Sequence, residues 1–216
     1  MNNQNLPTPT LLLANELVSA KEFKFKQIHE LAELFGFETR NRYALRHLDG
    51  REVAYAAEQQ KGILGFILRQ VLGHWRSFEV HMYNAKREEA LILKHPFRWF
   101  FQRLEIFDAD GVMRGAVEQR FAFFTKSFDV QDARGKVRYQ VRSPFFRFWS
   151  FTFTKHGQEV AKVQKKWSGL LAEAFTDKDN FHLVMDGENL DHEDRLLILA
   201  AAVFVDLQYF ERKAKS

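Results

Sequence analysis

Four stretches bring aromatic and basic side chains together. They read Lys61-GILGFILRQVLGH-Trp75-Arg76, His95-PFRWFF-Gln102-Arg103, Arg120-FAFFTK-Ser127 and Arg142-SPFFRFW-Ser150. Trp75, Phe97, Trp99, Phe100, Phe101, Phe123, Phe124, Phe145, Phe146 and Trp149 are interspersed with Arg69, Arg76, Arg98, Arg103, Lys126 and Arg147. Such rings enter the headgroup zone of a bilayer while the cations meet anionic lipid. The expected lipid-binding set is Arg98, Trp99, Phe100, Phe101, Arg103, Phe123, Phe124, Lys126, Phe145, Phe146, Arg147 and Trp149, and the expected partner is an anionic phospholipid membrane. The same rings have a structural alternative, in which they plug one end of the fold or seat a helix. Stacking on single-stranded nucleic acid is disfavoured, because Phe145-Phe146 is too apolar for a solvated groove.

Catalytic patterns are poor by comparison. The eight His show no HxxxH or HExxH spacing, so no metal-protease arrangement is expected. Ser168-Gly169 lacks the glycine pattern of a nucleophile elbow. Gly62, Gly65 and Gly73 lie in an apolar run with no following Lys-Ser, so no phosphate loop forms there. With no Cys, disulfides, thiolate metal sites, thiol nucleophiles and thioester-linked lipid are excluded. A non-enzymatic protein is expected. Asp206, a carboxylate in an apolar helix, needs a partner or an exit to water. The expectation is a structural role near a mouth of the fold, beside an Arg or backbone amides.

Those stretches are spaced by hairpins. Tyr43 and Leu45 alternate before Asp49-Gly50, and Val53, Tyr55 and Ala57 alternate after it; Asp-Gly is a tight-turn signal because such turns need positive φ. Turn centres then recur at Asn84-Ala85-Lys86, Asp108 to Gly111, Asp132 to Gly135 and His156-Gly157, with Asn84, Asp108 and Asp132 spaced 24 residues apart. Short alternating runs flank each turn, such as Phe78-Glu-Val80-His-Met82 and Phe151-Thr-Phe153. A hairpin repeat of this kind marks an up-and-down β sheet or barrel. A strand at Glu22 to Lys26, five hairpins and a last strand at Phe181 to Met185 give 12. All the aromatic-basic connections then fall at the end opposite the small polar turns.

Closing so large a sheet leaves a lumen that wall side chains alone do not fill. Leu196 to Val205 is apolar at every position, so a helix there has no face for water. Leu196 to Phe210 would be about 22 Å long, short of the roughly 20 apolar residues a bilayer core requires, and Asp206 interrupts it. An enclosed helix over 194–210 is expected, with Asp191 as its cap and Glu193 and Asp194 in its first turn. The 216 residues, 46% hydrophobic and with 23 Phe, suit one domain with a sizeable core. Basic residues exceed acidic ones by 32 to 28, a mild bias compatible with an anionic partner. Residues 1–20 are expected as a flexible leader, with Leu11 to Ala20 able to form a short helix or adhering segment. The domain spans 21–211 and a basic tail 212–216. No signal peptide opens the chain, so the expected place is cytoplasmic, peripheral at the inner face of a membrane.

Two distant blocks carry a family resemblance. Lys166-Trp167-Ser168-Gly169, Glu173 to Phe181 and the helix ending VDLQYFE resemble the carboxy-terminal third of the phospholipid scramblases, and Gly36 to Tyr43 with Tyr55 to Glu58 match upstream. The chain resembles a bacterial-type member without cysteines. The resemblance covers roughly 22–211 and implies the fold shared with the Tubby carboxy-terminal domain and plant LURP-one-related proteins, a 12-stranded antiparallel barrel threaded by one apolar helix. In animal members the connection corresponding to Phe97–Phe101 is cysteine-rich and lipid-modified; here aromatic rings stand in its place. The resemblance also implies a calcium-responsive loop at Asp177 to Glu188. Asp177, Asp179 and Glu188 fit positions 1, 3 and 12 of an EF-hand loop, whereas Phe181 and His182 do not fit 5 and 6. The segment equally reads as an Asx-type turn followed by a strand. Low-affinity Ca2+ is the one cofactor expectation. The implied function is binding or translocation of phospholipid, with a non-transporting phosphoinositide or anionic-lipid docking module, or a protein-interaction scaffold, as alternatives.

Overall fold

The computed structural model describes residues 6–28, 39–59, 77–122, 125–144, 150–165 and 181–210. Twelve strands form one closed antiparallel barrel: β1 (Glu22–Gln27), β2 (Thr39–His47), β3 (Glu52–Gln59), β4 (Phe78–Asn84), β5 (Glu89–His95), β6 (Arg103–Asp108), β7 (Met113–Arg120), β8 (Thr125–Asp132), β9 (Val137–Pro144), β10 (Ser150–Lys155), β11 (Gln158–Lys165) and β12 (Phe181–Val184). Each strand pairs with its neighbours in sequence, and β1 closes on β12 through Phe23↔Leu183 and Phe25↔Phe181. Period-two patterning sets the wall: β4 and β6 alternate buried and half-buried residues along their length.

The 24-residue repeat has a local chemical cause. The Oδ1 atoms of Asn84, Asp108 and Asp132 each accept from the backbone N–H two and four residues on, at 2.9 to 3.1 Å. In each turn the fourth residue has positive φ: Arg87 (66°), Gly111 (76°) and Gly135 (79°). Gly fits that conformation without penalty, and Arg87 adopts it against its own preference.

Helix α2 (His192–Val205) fills the lumen, and a π-helical turn, Asp206–Phe210, continues it. It begins two residues earlier than the sequence pattern implied. No residue from Leu196 to Val205 is more than 2% exposed. Phe204 meets Phe128 edge-on at 5.8 Å and stacks near His95 at 5.9 Å, which places it among inward residues of β8 and β5. The N-terminus is held by a capping box between Asp191 and Asp194, and Arg138 pairs with Asp191, Glu193 and Asp194.

The expectation of a flexible leader fails over Thr8–Val18, which form helix α1 across the turn end of the barrel. Leu13, Ala14 and Leu17 make an apolar stripe that is fully buried there, enough to order the segment. The Thr10 hydroxyl donates to the Ala90 carbonyl at 2.7 Å and accepts from the Ala109 N–H at 3.3 Å. Arg195 reaches from α2 to the Leu17 carbonyl at 2.9 Å, tying lid to core. Residues 1–5 and the expected basic tail lie outside the described residues.

Candidate functional site

At the end opposite the hairpin turns, the β5–β6 connection is anchored at both its edges. His95, the last residue of β5, faces inward, stacks on Phe78 at 4.5 Å and lies 3.4 Å from Gln208 of the π-helical turn. At the other edge Gln102 is buried and exchanges hydrogen bonds with Gln119 of β7, at 2.8 and 3.3 Å. Between these anchors the chain turns outward, and Phe101 takes a positive φ of 47°, unusual for an aromatic residue.

The rings on this connection face water. Phe97 is 42% exposed, Trp99 59%, Phe100 81% and Phe101 47%. Phe97 and Trp99 pack edge-to-face at 5.4 Å. The next connection adds Phe121 at 71%. The lumen is lined by other rings, including Phe23, Phe25, Phe128, Phe151 and Phe153. Phe121 was not among the expected site residues. It shares the parity of inward-facing Val117, but β7 ends at Arg120 and the ring leaves the wall. Contiguous apolar exposure of this kind is rare on a monomer and marks an interaction surface.

The cations are more committed than the sequence implied. Arg103 sits on the wall, with Glu118 at 3.3 Å, Glu105 at 3.5 Å and Gln131 at 3.2 Å. Arg98 lies 3.8 Å from Glu118 and Arg120 lies 3.3 Å from Asp129, both more open to solvent. The Arg98–Glu118 pair is open to solvent on both sides and contributes about 0–1 kcal/mol, whereas Asp129 is buried and would be left unpaired at a cost if Arg120 moved away. Lys126 stands opposite Ser143, half-buried, with a parity that puts it on the lumen face with Phe128 and Val130. Phe123, Phe124, Phe145, Phe146, Arg147 and Trp149 lie outside the described residues, as do Trp75, Arg69 and Arg76.

The calcium expectation rests on Asp177 and Asp179, which also lie outside the described residues; Glu188 is exposed in the turn before α2. Among the described residues no group of three or more carboxylates and histidines is arranged to hold a metal ion. No described helix is long and apolar enough to cross a membrane. Asp206 is buried at the C-terminal end of α2.

The model of the Scramblase family matches residues 4–212. The chain belongs to that family. Human phospholipid scramblase 2 is 27% identical over 201 residues, covering 87% of this chain and 66% of the relative. Mouse phospholipid scramblase 1 is 29% identical over 201 residues, covering 87% of this chain and 60% of its own length. This scramblase-family chain thus spans less than two thirds of both relatives. A solved structure of an Arabidopsis thaliana protein covers 86% of this chain and 92% of its own, with a TM-score of 0.48 and 10% identity. The resemblance read from Lys166 to Phe181 and from the apolar helix is therefore matched by family membership over nearly the whole chain, and the 12-stranded barrel around one helix is the architecture it implied.

Proposed function

We propose that this scramblase-family chain binds phospholipid membranes peripherally through its aromatic end. The observation that carries the proposal is the exposure of Phe97, Trp99, Phe100, Phe101 and Phe121 on two neighbouring connections. Apolar area leaving water supplies most of the affinity, and Arg98 adds an anionic-lipid preference that salt screens. Binding or moving phospholipid at that surface is the function the family membership favours. A docking role without transport gains support from the lumen being occupied by α2, whose residues from Leu196 to Val205 are all buried.

Vesicle sedimentation tests the proposal. The wild type sediments with anionic vesicles, its Trp fluorescence shifts blue, and added salt removes only part of the binding. Phe100 is the most exposed ring among the described residues, and inserting it yields roughly 2 kcal/mol, so Phe100→Ser weakens partitioning about 30-fold without lowering the melting temperature. A wild type that ignores vesicles, or a variant that loses stability instead of binding, overturns the proposal and points to a protein partner. Liposomes carrying a leaflet-specific fluorescent lipid then separate docking from translocation.

A further inference from the structure

A cleft at the turn end serves no part of the membrane-docking proposal. β9 and β10 pair through Arg142/Thr152, Val141/Phe153 and Gln140/Thr154, and there the pairing stops. Both strands continue towards their turns, β9 from Val137 and β10 to Lys155, so the two hairpins diverge over their last residues. The gap holds about 620 Å³, inside the range of roughly 300–1,000 Å³ typical of small-molecule sites. Arg134 and Lys136 rise from the β8–β9 turn on one side, and Lys155 and His156 stand on the other. Lys155 Nζ lies 5.6 Å from the Tyr139 ring, within cation–π range.

The charges here are unbalanced. Arg138, at the inner edge, is engaged by Asp191, Glu193 and Asp194. Among the described residues Asp132 is the one carboxylate lining the cleft, and its Oδ1 accepts from the Arg134 and Lys136 N–H groups at 2.9 and 3.0 Å. Among the described residues no carboxylate pairs with Arg134, Lys136 or Lys155. Three cations lining one cleft from two sides concentrate positive potential in it. With Arg134 and Lys136 on one side of the cleft and Lys155 on the other, the arrangement suits a ligand with more than one phosphate.

We propose that this cleft binds a small ligand carrying two or more phosphate groups. The site stands independently of the aromatic end, from which it is separated by the barrel height, about 20 Å for tilted strands of this length. That exceeds two Debye lengths at physiological salt, so lipid charge at one end has little influence at the other.

Calorimetric titration of the full chain with inorganic triphosphate, and with myo-inositol hexakisphosphate, tests the site. Saturable binding at low salt is expected. The double variant Lys136→Gln/Lys155→Gln should weaken it at least tenfold, while Lys86→Gln, in the exposed β4–β5 turn, should leave it unchanged. Lys136→Gln alone, in an exposed turn, provides the same comparison if the double variant does not fold. A second arm locates the phosphates: phosphatidylcholine vesicles with and without a bisphosphorylated inositol lipid, offered to Phe100→Ser so that the aromatic end contributes little. Capture by those vesicles alone assigns a lipid headgroup; binding of the free polyanions alone assigns a soluble ligand. No saturable binding in either arm, or equal weakening by Lys86→Gln, overturns the proposal.

Discussion

Gly115→Ala measures how firmly the barrel wall is closed on its central helix. A Cβ at Gly115 would lie 2.3 Å from the Gln131 carbonyl oxygen and 2.7 Å from Leu197 Cδ2. The leucine tip can rotate aside. The carbonyl belongs to the backbone of β8, where Gln131 pairs with Ala116, and it moves only if the β7–β8 ladder shifts. Two opposing terms set the outcome. Replacing Gly restricts the unfolded chain, a gain of about 0.4–1 kcal/mol. Overpacking with a forced backbone shift costs about 1–3 kcal/mol and occasionally more. The clash wins, because its stiffer half is backbone, and the net loss is about 1–2 kcal/mol. For a chain of this size that lowers the melting temperature by roughly 2–8 °C. Thermal and urea unfolding followed by circular dichroism read it directly. Leu197→Ala alone should cost about 2–5 kcal/mol. The double variant should be less destabilised than the sum by at least about 0.5 kcal/mol, since truncating Leu197 removes one of the two clashes. A Gly115→Ala protein melting at or above the wild type, or strict additivity with Leu197→Ala, would refute a helix clamped at this point.

Two further outcomes follow from single residues. Arg87→Gly places glycine where Gly111 and Gly135 stand in the equivalent turns, relieves a positive φ of 66°, and should stabilise the fold by about 0.5–1 kcal/mol in urea unfolding; a loss of stability would show that contacts of the Arg87 side chain outweigh the backbone strain. Burial holds the Glu193 carboxyl above its ordinary value, outweighing the opposing pull of Arg138. The folded state therefore keeps a proton that the unfolded chain has released, and stability falls as pH rises from the ordinary glutamate pKa through the raised one. Glu193→Gln should flatten that decline in urea midpoints, leaving the share of Asp129, raised chiefly by burial as well, against the opposite contribution of Glu52, lowered chiefly by its hydrogen bond with Tyr55; an unchanged slope would remove Glu193 from the explanation.

The parts of this fold legible in the sequence are those decided within a few residues. Asn84, Asp108 and Asp132 bond to backbone groups two and four positions away, so their spacing announces the hairpins without any tertiary knowledge. An all-apolar Leu196 to Val205 announces a helix removed from water, and its length, short of a bilayer core and broken by Asp206, favours enclosure over a membrane span. What was hidden depends on register between distant strands. Arg103 reads as a free cation beside aromatic rings until β6 pairs with β7 and brings Glu118 opposite it. Phe121 and Phe128 are both Phe in one short stretch, yet one is 71% exposed and the other 1%. A strand end falls between them, and only the closed barrel fixes its position. The cleft at β9 and β10 is harder still, since it exists because a ladder stops early.

The two ends of the core helix differ in how well their electrostatics agree with its dipole, and the difference falls where function is proposed. At the N-terminus Asp191, Glu193 and Asp194 meet the positive pole, cap it, and are clasped by Arg138. At the C-terminus no basic residue occupies the last turn, and a buried carboxylate, Asp206, sits at the negative pole instead. The helix then widens into a π-helical turn, a conformation more frequent at functional sites than elsewhere. Gln208 of that turn approaches His95, the residue from which the exposed Phe97–Phe101 connection departs, and Phe101 carries its own positive φ. Locally unfavourable conformations persist where the surrounding structure enforces them, and they gather at working surfaces. Their accumulation beside the exposed rings, at the end of the helix away from its well-capped start, is a second line of support for the aromatic end as the proposed membrane-facing surface, drawn from the backbone and not from side-chain exposure.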